Sequence, residues 1–225
     1  HPDKMVDPKL AYNEYLRAHG MDGDNPWHTW ANAGEDENGE IASGWYYRNA
    51  HRPTRAPDEH GETAYMTRRA MDFMREQGDK PWMLHLSYIK PHWPYIVQAP
   101  YHNMYGREDV QAPIRAEHER SNDHPVYEGY RLHPEGVAFS RDADRLNVIP
   151  AYMGLVKQVD DYLGRLFAFM QERGLMDNTM IVFTADHSDY LGDHWLGEKE
   201  FMHEQGVRIP LIISDPSAPA THGTV

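Results

Sequence analysis

"GLMDNTMIVFTADHSDYLGDHWLGEK", residues 174–199, decides how the rest of the chain is read. A glycine and an Asp-Asn-Thr turn lead into the apolar run 180–183, which stops at Ala185, Asp186 and His187, where titrating side chains begin to crowd. Apolar and β-branched residues bounded by turn formers predict a strand. Upstream, Tyr152, Leu155, Val156, Val159, Leu163, Leu166, Phe167 and Met170 fall on one helical stripe, with Lys157, Asp160, Asp161, Arg165 and Glu172 off it. That spacing predicts a long amphipathic helix closed by Gly174. Downstream, residues 207–216 predict another strand. Helices alternating with apolar strands point to an α/β sandwich with a largely parallel central sheet flanked by helices. In such sheets ligands bind beyond the carboxyl ends of strands, and the charged loop sits at one of those ends.

The charge balance restricts the partners. Against 22 Lys plus Arg stand 35 Asp plus Glu, a net charge of −13. Such a surface repels a phosphate backbone and argues against nucleic acid as a partner. An anionic substrate therefore needs a local positive centre. With no cysteine among the 225 residues, disulfides, thiolate metal sites and a cysteine nucleophile are excluded here. No run of about eighteen apolar residues reads as a membrane span, and no charged and apolar leader is seen. The chain opens at His1 without a methionine and stops after "THGTV", so it reads as an internal slice of something longer. Cytoplasm and periplasm both remain open.

Along the chain, residues 1–60 are rich in Pro, Gly, Asn, Trp and charge and read as a loop-rich or lid region with a short helix about 8–18. Residues 61–97 read as a helix over 63–77, from the spacing of Met66, Ala70, Phe73 and Met74 with Gly78 as the stop, then a buried strand over 81–89, then a histidine loop, "KPHWPY", broken by its prolines. Residues 98–143 read as an irregular excursion near a surface cleft. Residues 144–225 carry the helix, the strands and the charged loop. The Trp, Tyr and His residues of 1–60 and 93–133 either pack or line a pocket for an aryl or sugar group.

Asp186 and His187 are adjacent, so on a regular strand they face opposite sides, but where the strand breaks into a turn both can converge on one point. A carboxylate and an imidazole suit a divalent cation, though two ligands alone make no site. The alternative is that Asp186 caps a turn and His187 hydrogen-bonds to it. Lys199 is either a surface lysine paired with Glu198 or Glu200, or a fixed positive charge for an anionic group.

Residues 152–212, from "YMGLVKQVDD" through "MDNTMIVFTADH" and "LGDHWLGEK" to "HEQGVRIPLI", resemble the sulfatase family of the alkaline phosphatase superfamily, including its phosphonate monoester hydrolase branch. "PWMLHLSYIKPHWPY", residues 81–95, resembles the family's strand and following histidine loop. The resemblance implies an alkaline-phosphatase-like sandwich, incomplete in this chain. It implies that Asp186 and His187 bind a single divalent metal ion, calcium in most sulfatases and often manganese in phosphonate monoester hydrolases. It gives Lys199 and His92 catalytic and substrate-binding roles, Lys199 on the anionic group and the nucleophile, His92 on the same oxygens and as proton donor to the leaving group. His203 and Glu204 fall where the family often has a tyrosine and a glutamate, which makes His203 a further substrate-binding candidate, with His194 in the same loop; a structural hydrogen bond explains these residues equally well.

The departures are specific. The family commonly reads "SDHG" where this chain has Ala185, Asp186, His187 and Ser188, so the backbone after His187 is without glycine freedom, although serine suits a right-handed turn. The family's nucleophile, a formylglycine made from cysteine or serine, is expected outside this chain, on a missing N-terminal segment of the same enzyme that also supplies metal aspartates. The implied activity of the whole is hydrolysis of sulfate, phosphate or phosphonate monoesters, with a small anionic ester as substrate and a homo-oligomer as a possible assembly. The slice alone is expected to be inactive and to bind metal weakly. Two other classes stay open: a two-metal phosphatase or phosphodiesterase of the same superfamily, using His194 and His203, and a catalytically silent fragment that only binds. The first reading requires Asp186, His187, His92 and Lys199 to gather around one point.

Overall fold

Tyr12 and Leu16, one turn apart on α1 (Ala11–Ala18), enter a core with Met21, Trp27, Ala31 and Ala56. The computed structural model describes residues 7, 9–121, 124–218 and 223, so of the helix expected about 8–18, Pro8 lies outside the described residues. The buried Asn13 accepts from the Trp27 N–H (2.7 Å) and donates to Asn25 Oδ1 (3.1 Å), which ties the turn Trp27–Ala31 to α1. A short antiparallel hairpin, β1 (Ala33–Glu35) and β2 (Ile41–Ser43), follows. Then α2 (Glu62–Gln77) buries Thr63, Ala64, Thr67, Ala70 and Met74 and ends at Gly78, whose φ of 57° suits glycine. The segment read as loop-rich or lid-like thus has a core of its own, and Tyr12 and Trp27 pack in it.

The expected buried strand over 81–89 is not formed. These residues take no strand assignment, and their side chains alternate between exposed and half-buried. A strand is defined by a partner's backbone, and the apolar run carries no information about whether that partner is present. Within the excursion 98–143 two short helices appear, α3 (Pro125–Arg131) and α4 (Pro134–Phe139). Each opens on proline, whose missing N–H has no intrahelical partner to lose in a first turn. Helices of six and seven residues are too short to show a period, which is why the segment reads as irregular.

The long helix α5 (Asp142–Glu172) starts well before Tyr152 and runs through Pro150. Leu155, Tyr162, Leu166, Phe169 and Met170 are buried, while Val156, on the expected stripe, is exposed. Gln158 is buried as well, donating to Asp58 Oδ1 and Gln98 Oε1, both at 2.8 Å. The chain divides into two compact units, one of His1–Val110 with Leu146–Leu166, the other of Gln111–Arg145 with Phe167–Val225. The second contains β3 (Ile181–Thr184), α6 (Glu204–Val207) and β4 (Leu211–Ser214).

β3 and β4 pair antiparallel, Ile181 opposite Ser214 and Thr184 opposite Leu211. Among the described residues this pair stands where a largely parallel sheet was expected. A parallel return needs a crossover of a dozen or more residues, usually a helix, that carries the chain back to the starting end. The connection 185–210 instead holds only a 3-10 turn, Asp193–Trp195, and the four-residue α6, and folds back on itself at one end of the pair. Met180, Val182, Phe183, Leu211, Ile212 and Ile213 are all exposed, the all-apolar composition of strands made to be covered on both faces. No described helix is long and apolar enough to cross a membrane.

Two glycines of α5 test this packing. A Cβ at Gly154 would lie 2.4 Å from the Tyr101 carbonyl oxygen and 3.3 Å from Val97 Cγ1, whereas one at Gly164 would meet nothing within 4 Å. Gly154→Ala should lower the unfolding free energy by about 1–3 kcal/mol. Gly164→Ala should raise it by about 0.5–1 kcal/mol, both read in urea melts.

Candidate functional site

Beyond Thr184 the chain leaves the β3–β4 pair as Ala185, Asp186 and His187. Backbone hydrogen bonds then fold it back: Ser188 N–H to the Gly206 carbonyl (3.1 Å), Tyr190 N–H to Glu198 (2.8 Å) and Gly192 N–H to Leu196 (2.9 Å). The leg 188–190 therefore lies against 198–206, bringing the neighbourhood of His187 beside those of Lys199 and His203. Among the described residues, the non-glycine positions with positive φ are Leu191, His194, Trp195 and Glu198, all in this loop. Such conformations cost about 1–3 kcal/mol each and persist where the surroundings impose them. Ser188 is not among them, in keeping with the right-handed turn expected of serine in place of glycine.

What imposes the shape is a buried floor and a guanidinium. Tyr190 and Leu196 pack with Tyr127. Arg115 donates to the carbonyls of Gly192 (2.7 Å) and Phe139 (2.6 Å), pairs with Asp142 (3.1 Å) and lies over the Trp195 ring. Ile114 exchanges two further bonds with the turn, accepting at its carbonyl from His194 N–H and donating its N–H to Asp193 Oδ1.

The His187 ring fits one side of a cation site. Nδ1 lies 2.8 Å from the Ser188 carbonyl, an acceptor only, so it carries the proton and Nε2 the lone pair in the neutral ring. Nε2 lies 3.6 Å from Asp186 Oδ2. Two donors about 2.0–2.6 Å from one ion, at roughly a right angle, stand about 3–3.6 Å apart, so the pair spans one edge of a coordination shell. The contact expected of a structural turn is present too, His187 N–H to Asp186 Oδ1 at 3.1 Å. Among the described residues no three His, Asp or Glu side chains group closely enough to hold a metal by themselves.

Lys199 is half-buried beside Glu198. Burial pushes the Glu198 carboxyl up, an effect the neighbouring Lys199 ammonium opposes and Glu135, Asp189 and Glu200 reinforce. Next to them Tyr130, whose hydroxyl donates to the Gly197 carbonyl (2.8 Å), is pushed well above its ordinary value by burial and by the charges of Glu198, Glu200 and Asp189. His203 Nδ1 lies 2.9 Å from the Tyr190 hydroxyl, and its ring stacks on His194, centroids 4.3 Å apart. His194 Nδ1 in turn meets Glu119 Oε1 at 2.6 Å. Glu119 is a neighbour that the sequence did not reveal, since 75 residues separate it from His194.

His92 belongs to the other compact unit. Its Nδ1 lies 2.9 Å from the Trp93 carbonyl and its ring is tilted against the Trp93 indole, centroids 5.1 Å apart. The loop is built around Lys90, which is buried. Its ammonium donates to the Pro94 carbonyl (2.7 Å) and to Asn32 Oδ1 (3.0 Å). Burial pushes Lys90 down from 10.5 to about 8, with the Glu62 carboxylate acting the other way. Burial pushes Glu62 up in turn; its Oε1 accepts from Trp27 Nε1 (3.3 Å), and its buried Oε2 has no hydrogen-bond partner among the described residues.

Between pH 8 and 10.5 the unfolded chain holds the Lys90 proton and the folded chain does not. This position therefore adds stability above pH 10.5 that is lost as pH falls through about 8, and is level below that. The unfolding free energy of the wild type, minus that of Lys90→Met, should rise by about 3 kcal/mol across this window in chemical denaturation at stepped pH. A flat difference would show that the ammonium is not desolvated.

The sulfatase family model matches residues 13–224. A multifunctional alkaline phosphatase superfamily protein, PehA, of Trinickia caryophylli is 39% identical over 176 residues, covering 73% of this chain and 34% of its own. An arylsulfatase of Clostridium perfringens is 28% identical over 184 residues, covering 81% of this chain and 36% of its own. Among solved structures, the phosphonate monoester hydrolase SpPMH of Silicibacter pomeroyi superposes with a TM-score of 0.80 at 26% identity, covering 95% of this chain and 42% of that one. The chain thus spans about a third of the length of these curated relatives, and its fold is part of the alkaline-phosphatase-like architecture they share. With its Asp186, His187 and Lys199 loop inside the matched span, this chain belongs to the sulfatase family.

Proposed function

We propose that the protein to which this chain belongs hydrolyses sulfate, phosphate or phosphonate monoesters with the help of one divalent metal ion, calcium or manganese. The observation that carries the proposal is the donor pair Asp186 Oδ2 and His187 Nε2, 3.6 Å apart at the end of β3, with the Lys199 segment bonded alongside through Tyr190 and Glu198. When bound, the ion supplies Lewis-acid stabilisation of charge on the non-bridging oxygens. Asp186 and His187 hold one edge of its shell, and the Ser188 carbonyl fixes the His187 tautomer for that task. Lys199 brings a fixed positive charge to an anion that the net charge of −13 would otherwise repel. His203 offers a hydrogen bond to the same anion.

His92, on the turn built around Lys90, is assigned the role of proton donor to the leaving oxygen, a task for which imidazole is a common general acid. The nucleophile, a formylglycine in this family, is proposed to lie on a segment outside these residues. Arylsulfatase and phosphonate monoester hydrolase are the activities in the names of the similar proteins, and a small anionic ester is the substrate class common to both.

In the full-length protein, Lys199→Ala should lower kcat/KM for an aryl sulfate or phenyl phosphonate by about 10²–10³-fold. Unchanged turnover would instead favour a fragment that only binds. His92→Asn should slow alkyl esters more than nitrophenyl esters, because only the poorer leaving group needs the proton. Equal slowing of both would remove His92 from the donor role.

A further inference from the structure

Behind His203 stands an arrangement that the ester-hydrolase reading does not use. Tyr190 is buried, and its oxygen accepts from the His203 backbone N–H (3.3 Å) while lying 2.9 Å from His203 Nδ1. Burial pushes the Tyr190 phenol up, so it keeps a proton to give. The arrangement that uses every partner has the phenol donating to Nδ1, which leaves the His203 proton on Nε2. The ring's orientation is set from the other side by His194, stacked on it at 4.3 Å and only 11° from parallel.

His194 is gripped in turn. Its Nδ1 meets Glu119 Oε1 at 2.6 Å, its Nε2 lies 3.2 Å from Gln205 Oε1, and its carbonyl accepts from the Tyr127 hydroxyl (3.3 Å). Its φ is 53°, an unfavourable conformation for histidine that the surroundings impose. Glu119 is fixed by the Ala116 N–H (2.9 Å). Burial works against its charge, but the bonds from His194 and Ala116, with His118 nearby, outweigh that and hold the carboxyl below its ordinary value. Burial first, and His194 second, push His203 down, with Glu119 acting the other way.

We propose that Glu119 and His194 are positioning residues for His203, holding its imidazole as a neutral ring whose Nε2–H is offered to an anionic oxygen of the ester. The proposal rests on the ester-hydrolase reading for its substrate, but its geometry stands on this cluster alone. A neutral donor contributes a directed hydrogen bond without adding a second titrating charge beside Lys199.

In the full-length protein with ¹⁵N-labelled histidine and no substrate, His203 should show the Nε2–H tautomer and a titration midpoint below that of free histidine. His194→Gln removes the stacked ring and should move that midpoint upward. It should also raise KM for the ester about three- to tenfold, with kcat within about twofold, the size of one lost hydrogen bond. Glu119→Ala should raise KM to the same extent, and Glu119→Gln, which keeps an acceptor for His194 Nδ1, should recover most of the wild-type value. A proton on His203 Nδ1, or a wild-type KM in both His194→Gln and Glu119→Ala, overturns the proposal. Failure to find any ester that is turned over would sink the hydrolase reading, while the substrate-free tautomer and midpoint still decide this one. If His194→Gln does not fold, the two Glu119 variants carry the KM comparison.

Discussion

Two backbone hydrogen bonds, Ser188 N–H to Gly206 and Tyr190 N–H to Glu198, give residues 185–206 a fixed shape where sequence alone shows a charged loop. They lay one leg of the loop against the other, so that a carboxylate and an imidazole leaving β3 are held alongside the lysine and histidine of the return. The cost is visible in the four non-glycine residues with positive φ between Leu191 and Glu198. It is met by burial of Tyr190 and Leu196 and by the Arg115 guanidinium, which joins the Gly192 carbonyl of the turn to the Phe139 carbonyl at the end of α4. Rigid support of this kind is what a binding loop needs to hold its ligands before the ligand arrives.

Charge explains the choice of residues around Lys199. Burial makes Glu198 reluctant to ionise, and Glu135, Asp189 and Glu200 reinforce this while the Lys199 ammonium opposes it. In the other unit, burial of Lys90 shapes the His92 turn without presenting its charge, because the ammonium is taken up by Asn32 and the Pro94 carbonyl.

How much was legible in the sequence follows from how local each signal is. The helices α2 and α5 and the strands β3 and β4 announce themselves by period and by turn residues, although α5 begins earlier than its apolar stripe and runs through Pro150. The run 81–89 has the composition of a strand but takes no strand assignment, because pairing is a property of two segments and only one is in view. Asp186, His187, Lys199 and His92 are singled out only by motif resemblance. Burial leaves no mark in sequence on a lysine between Ile89 and Pro91, so Lys90 is not legible there, and neither is Glu119, because its partner His194 lies far along the chain. The antiparallel pairing of β3 with β4 was hidden by an apolar composition that suits covered parallel strands equally well.

The central claim is that Asp186 and His187 share one cation. Crystals of the full-length protein grown with manganese, measured at the manganese absorption edge, give the most direct answer. A single anomalous peak about 2.0–2.6 Å from both the Asp186 carboxylate and His187 Nε2 is the predicted result. A peak that touches neither residue, or a protein that turns over its ester with no metal at this loop, would contradict it.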